Sequence, residues 1–255
     1  MKIIDLSVPV RTNPGEPVPV TVKLTDHVEG AEVLGAVYGL TADDFPDGYA
    51  ISTELVTLST HCGTHIDAPL HYGPHSEGKS AKSIDELPLE FFFAQGLLLR
   101  FDSDPQRGPV SADEVAAAVE RHNLTSIARR IVLLDVGAAE KWSTKEYFTS
   151  FRGIAPEAVE YLINQGVKVI GTDAFGFDQP FGNMLKNWRK TGSKDVLWPT
   201  HILGRKREYF QIERLAGLDQ LPDDIPFNIA CFPIRLAGCG AAWTRAVAIL
   251  EDCSA

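Results

Sequence analysis

The residues best suited to chemistry lie in one short segment, from His61 to His71, which reads HCGTHIDAPLH. Imidazole nitrogens and carboxylate oxygens are preferred ligands of divalent zinc or manganese. Two histidines and an aspartate (His61, His65 and Asp67) would hold one ion and leave coordination positions open for water and substrate, as catalytic sites do. His71 follows a proline and is predicted to act beside the metal as a general base or acid.

The breakers inside this segment predict a site-forming loop. Gly63 and Pro69 interrupt the run, so neither a regular helix nor a regular strand is expected throughout. An alternating stretch, Glu54 to Ser59, predicts a strand that delivers the chain to the motif. Cys62 is not counted as a ligand, because the side chains of adjacent residues diverge.

Composition limits the functional classes. The chain has 255 residues, 44% of them hydrophobic and 23% charged, which suits one large globular domain, or at most two. A single domain over residues 1–255 is predicted. Its formal net charge of -10 argues against nucleic acid as a partner. No apolar run approaches the roughly 18–20 residues that span a bilayer, so no membrane partner is expected.

The cysteines and one basic cluster add two expectations. No C-x-x-C spacing and no signal peptide are visible, so reduced thiols in a cytoplasmic protein are expected. The basic cluster Arg205-Lys206-Arg207 is followed by Glu208. It is interpreted as a solvated turn, with contact to an anionic substrate as the alternative. The four cysteines are Cys62, Cys231, Cys239 and Cys253.

The order of apolar segments predicts an α/β fold with a mixed sheet. A helix is predicted from the capping box Ser111–Glu114 to about His122, and another from Pro156 to Gly166. Residues 25–50 contain glycine, aspartate and proline, and a long loop or short excursion is predicted there. The other predicted strands cover residues 2–10, 18–23, 96–101, 130–136, 167–172, 209–212, 227–233 and 246–250.

Three further positions carry candidate functional groups. His201 and Glu213 are twelve residues apart, and taken alone they are an ordinary surface pair. Asp173 ends a buried strand, at the edge where α/β sites collect functional residues. Its carboxylate either orients a ligand histidine or caps the following turn.

An aromatic stretch separates Asp173 from His201. It is interpreted either as a packed excursion or as a wall over a flat aromatic substrate, because ring stacking favours such ligands. The candidate substrate-lining residues are Phe175, Phe177, Phe181, Trp188 and Trp198.

The string H-x-G-T-H-x-D-x-P-x-H resembles the signature of the cyclase family of metal-dependent enzymes, which includes kynurenine formamidases, isatin hydrolases and aromatic polyketide cyclases. The resemblance implies a swivelling β/β/α fold and a homo-oligomer. It also implies that His61, His65 and Asp67 hold the first ion, while His201 and Glu213 face it or bind a second. One ion is predicted and the second stays open.

Two reactions fit such a site, since both develop negative charge on oxygen beside a cation. One is aldol ring closure and dehydration of an aromatic polyketide. The other is hydrolysis of a small aromatic amide or lactam. The opening residues 3–7, the segment 171–181 and the run 197–213 look most like polyketide cyclases, so ring closure is the preferred prediction. A metal-stabilised scaffold without activity is the non-enzyme alternative, although every motif residue is present.

Overall fold

The computed structural model describes residues 1–223 and 225–251. Its strands are β1 (Lys2–Asp5), β2 (Thr21–Thr25), β3 (Thr53–Thr57), β4 (His65–Asp67), β5 (His75–Ser76), β6 (Lys79–Ser80), β7 (Phe93–Arg100), β8 (Ile131–Asp135), β9 (Val169–Thr172), β10 (Phe210–Glu213), β11 (Phe227–Ala230), β12 (Ala241–Trp243) and β13 (Val247–Leu250). Its α-helices are α1 (His27–Tyr38), α2 (Pro69–Tyr72), α3 (Ala112–Glu120), α4 (Glu146–Thr149), α5 (Pro156–Asn164), α6 (Phe181–Thr191) and α7 (Pro199–Leu203). Within this part of the chain, no helix has the length and apolar character needed to cross a bilayer.

The chain divides into two compact units. One comprises residues 1–16 and 60–255, and the other comprises residues 17–59. The single domain over residues 1–255 stays a prediction. Cys253 lies outside the described residues, whereas Cys62, Cys231 and Cys239 are free thiols.

The larger unit is built on a nine-stranded mixed sheet in the order β1-β13-β11-β7-β8-β9-β10-β4-β12. The central strands β7, β8, β9 and β10 run parallel to one another. The strands on either side pair antiparallel, including β4, which lies between β10 and β12. The predicted α/β fold with a mixed sheet is therefore confirmed.

Both faces of the central sheet are buried, which explains the unbroken apolar runs in β7 and β8. Leu97 and Leu99 contribute to one hydrophobic core and Leu98 to a second. Side chains alternate across a strand, so a strand covered on both faces needs apolar residues at every position. The first core also takes Val115 from α3 and Val159 from α5. Both helices start close to their predicted positions, with the Ser111 capping box formed.

The smaller unit, residues 17–59, corrects one prediction. Strands β2 and β3 pair antiparallel, but residues 27–38 form α1 where a loop was expected. Asp26 begins this helix by accepting hydrogen bonds from the backbone amides of Val28 and Glu29. Gly30 belongs to a helix because a Cβ there would lie 2.5 Å from the carbonyl oxygen of Ile51. The glycine therefore marks close packing rather than a loop.

Candidate metal centre

The short strand β4 places two of the predicted ligands side by side. His65 and Asp67 are two residues apart and point to the same face, while Ile66 points into the core. Register pairs His65 with Glu213 of β10. The distance from His65 Nε2 to Glu213 Oε2 is 3.4 Å. Antiparallel pairing with two neighbours thus brings a carboxylate from a distant part of the sequence beside the motif.

His61 reaches the same point through a turn. Gly63 has φ of 70°, and a Cβ there would lie 2.9 Å from Val10 Cγ2, so only glycine fits this turn. His61 Nδ1 lies 3.2 Å from His65 Nε2 and 3.0 Å from Asp67 Oδ1. His65 Nε2 lies 3.4 Å from the same oxygen.

These three atoms have the spacing of a metal site. Ligand atoms about 2.0–2.1 Å from a tetrahedral zinc ion are roughly 3.3 Å apart. His65 Nδ1 lies 2.9 Å from the carbonyl oxygen of Gly63. Since a carbonyl only accepts, Nδ1 carries the proton and Nε2 presents its lone pair to the centre, as in ligating histidines.

The carboxylate of Asp67 is buried without hydrogen-bond partners in the part of the chain that the structure describes. Its side chain is fully buried, and neither carboxylate oxygen accepts a hydrogen bond of good geometry within the described residues. Its charge partners are imidazoles, with His61 and His65 at 3.0 and 3.4 Å. A buried carboxylate without hydrogen bonds is costly, and a metal ion would satisfy it. The site therefore fits a divalent cation; that His61, His65 and Asp67 bind it remains a prediction.

His71 lies on α2 at the mouth of the centre. Its Nε2 is 4.0 Å from Asp67 Oδ2, and its ring centroid is 4.2 Å from that of His61. A third of its side chain is exposed. Gly240 makes room for it, because a Cβ there would lie 3.0 Å from the His71 backbone nitrogen. His71 is therefore close enough to exchange protons with a molecule at the centre.

His201 and Glu213 also converge on the centre. His201 Nε2 lies 3.6 Å from Glu213 Oε1. The other ring nitrogen, Nδ1, lies 2.5 Å from Asp178 Oδ2, and Asp178 also accepts the backbone amides of Thr200 and His201. Asp178 was not among the predicted residues. The only signal in the sequence is an acidic residue inside an aromatic, glycine-rich stretch.

The carboxylates and imidazoles shift one another's pKa values. Burial opposes ionisation of Asp67, but the imidazoles of His71, His65 and His61 hold the pKa of its carboxyl well below the usual range. Burial lowers the pKa of His71, and Asp67 only partly offsets this. Burial would also lower the pKa of His201, but the hydrogen bond to Asp178 together with the charges of Glu213, Asp178 and Asp67 outweighs this and raises the pKa to about 9.

Asp173 has a structural position. Its two oxygens accept hydrogen bonds from the backbone amides of Val136 and Ala139, in the turn after β8. Burial raises the pKa of this carboxyl to about 7. Within the described residues it hydrogen-bonds to no histidine. These contacts assign Asp173 to the turn after the neighbouring strand, and the carboxylate that holds a site histidine is that of Asp178.

A cavity of about 220 Å³ opens onto the metal centre, and we call it the aromatic cavity. His61, His71, His201 and Glu213 form its polar side. Of the candidate substrate-lining residues, Phe175, Phe181 and Trp198 border this cavity, with Phe181 and Trp198 stacked at a centroid distance of 5.2 Å. The cavity is also lined by Phe151, Gly176, Asp178, Gln179, Pro180, Met184 and Arg214.

Two predicted lining residues lie elsewhere. Phe177 is fully buried in the core, and its backbone amide lies 3.2 Å from Glu213 Oε1, to which it donates. Trp188 lies on α6 seven residues beyond Phe181, and 39% of its surface is exposed. At 1.5 Å per residue it lies about 10 Å further along the helix. Neither ring is available to a molecule in the aromatic cavity.

Comparison with known proteins establishes the family. A family model described as "Putative cyclase" matches residues 4–179. A kynurenine formamidase of Erythrobacter litoralis is 32% identical over 206 residues, which is 79% of this chain and 78% of that protein. The chain belongs to the cyclase family and is an enzyme.

Solved structures agree with the fold. Isatin hydrolase A from Ralstonia solanacearum has a TM-score of 0.72 at 20% identity, over 98% of this chain and 92% of that one. A protein described as a potential metal-dependent hydrolase with cyclase activity has a TM-score of 0.60 at 20% identity, over 98% of each chain. The mixed α/β fold is therefore that of structurally characterised members of the family.

Proposed function

We propose that this enzyme is a metal-dependent amidohydrolase that cleaves the C–N bond of a small aromatic formamide or lactam. The observation that carries the proposal is Asp67. Its buried carboxylate accepts no hydrogen bond within the described residues and lies among three imidazoles and Glu213, next to a cavity walled by aromatic rings. A divalent cation would balance this charge, and an aromatic amide suits the cavity beside it.

His61, His65 and Asp67 would hold one zinc or manganese ion, and Glu213 lies close enough to join them or to share a second ion with His201. When bound, such an ion polarises a substrate carbonyl and lowers the pKa of a coordinated water to about 7. The acidic and imidazole ligand set suits either ion.

The remaining side chains have roles in proton transfer. His71 accepts a proton at Nε2 from the attacking water and returns it to the leaving nitrogen, so the amide becomes an amine and a carboxylate. His201 is held at Nδ1 by Asp178, which fixes the ring so that Nε2 faces the centre. Protonated at Nε2, it donates to the oxyanion that develops on the carbonyl oxygen.

The aromatic cavity would bind the ring of the substrate. Phe175, Phe181 and Trp198 present ring faces and edges there, and aromatic pairs favour offset or edge contacts. The descriptions of the relatives, a kynurenine formamidase and an isatin hydrolase, support hydrolysis. The polyketide ring closure preferred from the sequence has no support from these relatives.

Two substrates test the proposal directly. Zinc- or manganese-loaded enzyme is mixed with N-formylkynurenine or with isatin, and cleavage is followed as a change in aromatic absorbance. We expect turnover of at least one compound, lost on chelation and restored by the ion. A matched sample of His65→Ala should be inactive in both states. Absence of turnover with both compounds and with other aromatic formamides or lactams would refute the function.

A further inference from the structure

A second cavity of about 230 Å³ adjoins the metal centre, and we call it the arginine cavity. It is lined by His71, Tyr72, Trp198, His201, Ile202 and Arg205. Three of these residues, His71, Trp198 and His201, also line the aromatic cavity. The two cavities therefore adjoin at the histidines that flank the proposed reaction centre.

Arg205 is held in place by its surroundings. Its Nε donates to the carbonyl oxygen of Tyr72 at 2.5 Å. Gly73 makes this contact possible, because a Cβ there would lie 2.7 Å from Arg205 Nε. The backbone carbonyl of Arg205 also accepts a hydrogen bond from the amide of Glu77. The guanidinium is thus fixed across a glycine at the edge of the arginine cavity.

The rest of the guanidinium of Arg205 has no protein partner. Within residues 1–223 and 225–251, no carboxylate lies within ion-pairing distance of Arg205, and only Nε donates a side-chain hydrogen bond. The other basic residues of the cluster differ. Lys206 is exposed, as Arg205 is, but lines neither cavity, while Arg207 pairs with Glu160 and Asn164. Of the three, only Arg205 combines a fixed position, unpaired donors and a cavity.

We propose that the arginine cavity is a substrate subsite in which Arg205 binds a carboxylate, so that the enzyme selects aromatic amides that carry an anionic side chain. A guanidinium offers two parallel N–H donors that match the two oxygens of a carboxylate. The formal net charge of the chain is -10. In such an acidic protein the free guanidinium donors supply a local positive charge beside the site, where an anion can bind. This subsite rests on the proposed amide hydrolysis and specifies which aromatic amides the enzyme prefers.

The test uses matched pairs of substrates with the zinc-loaded full chain. Each pair consists of an N-formylaniline whose ortho side chain, one to three methylene groups long, ends in a carboxylate, and its neutral carboxamide twin. For at least one pair, kcat/KM should favour the carboxylate by about 10-fold or more, mainly through KM, since hydrogen bonds to charged groups are strong. Arg205→Gln should reduce the ratio to about one, because it lowers kcat/KM for the carboxylate far more than for the carboxamide.

Lys206→Gln is the matched control, because it removes the adjacent charge without touching the cavity; its ratio should equal that of the wild type. Equal losses for both twins in Arg205→Gln, or an unchanged ratio, would overturn the subsite. Circular dichroism of the variants confirms that they are folded.

A binding measurement separates the subsite from the reaction. Calorimetric titration with 3-phenylpropanoate and 3-phenylpropan-1-ol, which have no C–N bond to cleave, should show Arg205→Gln weakening only the carboxylate, by about 10-fold. If no amide is hydrolysed but this difference appears, the proposed function fails and the anion site stands. Carboxylate binding that vanishes on chelation but is unaffected by Arg205→Gln would assign it to the metal, and no binding of the carboxylate by the wild type would also refute the subsite.

Discussion

Two regions line the aromatic cavity, and they place their side chains in different ways. The motif, residues 61–71, contributes buried and half-buried groups whose atoms lie 3.0–3.4 Å apart. The aromatic segment, residues 173–201, divides its rings between core, cavity and solvent: Phe177 is buried and Phe181 is 52% exposed. A cluster of candidate residues in the sequence therefore indicates a site only where the local backbone directs their side chains to one point.

The difference has a structural cause. β4 is hydrogen-bonded on both sides, so the directions of His65 and Asp67 are set by strand alternation. The aromatic segment instead passes through a loop and α6, where direction and distance both change along the chain. Two rings on one stripe of that helix, Phe181 and Trp188, lie about two turns apart. Four variants sharpen the contrast between the regions.

The largest effect is expected for His65→Ala. The three-ligand site cannot spare an imidazole, so bound metal should fall well below one ion per chain, and activity should fall about 10³-fold or more. Metal content is measured by plasma mass spectrometry after dialysis. His75→Ala, at an exposed histidine of β5, serves as the control and should keep its metal. Unchanged stoichiometry in His65→Ala would remove His65 from the ligand set.

His71→Ala should keep its metal and lose turnover. Its proposed role is proton transfer, and general acid–base catalysis contributes about 10²–10⁴-fold to the rate. The measurement pairs kcat with metal content and with the affinity for an uncleaved product. A variant with near wild-type kcat would end the assignment, and one that loses metal would make His71 a ligand instead.

Asp178→Asn should lower kcat about 10–100-fold, as loss of a carboxylate that holds a site histidine commonly does. The amide presents only one oxygen to the three donors that Asp178 now serves, so His201 loses its fixed orientation. Both the value of kcat and its dependence on pH should change. Asp195→Asn, at an exposed aspartate, is the control. If the variant loses both thermal stability and activity while the pH dependence of kcat stays the same, the role of Asp178 is purely structural.

The smallest effect is expected for Phe181→Ala. Loss of one ring from the aromatic cavity should raise KM about 3- to 10-fold and leave metal affinity unchanged, because an aromatic contact adds about 0.5–1.5 kcal/mol beyond burial. Trp188→Ala removes a ring from the same helix outside the cavity and should not change KM. Identical KM values in the two variants would mean that the aromatic segment only supports the fold.

The sequence predicted the chemistry of the motif because that information is local. Residue type, spacing and two breakers were enough to select His61, His65, Asp67 and His71. Buried strands with continuous apolar runs also gave the mixed α/β fold, since both faces of the central sheet need apolar side chains. Helix α1 was missed because its glycines serve close packing, which sequence patterns do not distinguish from a loop.

The tertiary structure decided how distant groups meet the motif, including His201 and Glu213, which the family resemblance had already suggested. The register between β4 and β10 brings Glu213 to His65, and a turn after β9 brings Asp178 to His201. The tertiary structure also places only Arg205, of the three adjacent basic residues, at the arginine cavity. The sequence alone does not distinguish the three. Such contacts depend on strand order and loop paths, whose free energies come from packing across the whole domain. The sequence therefore predicts the reactive groups of this enzyme, and the fold selects their partners.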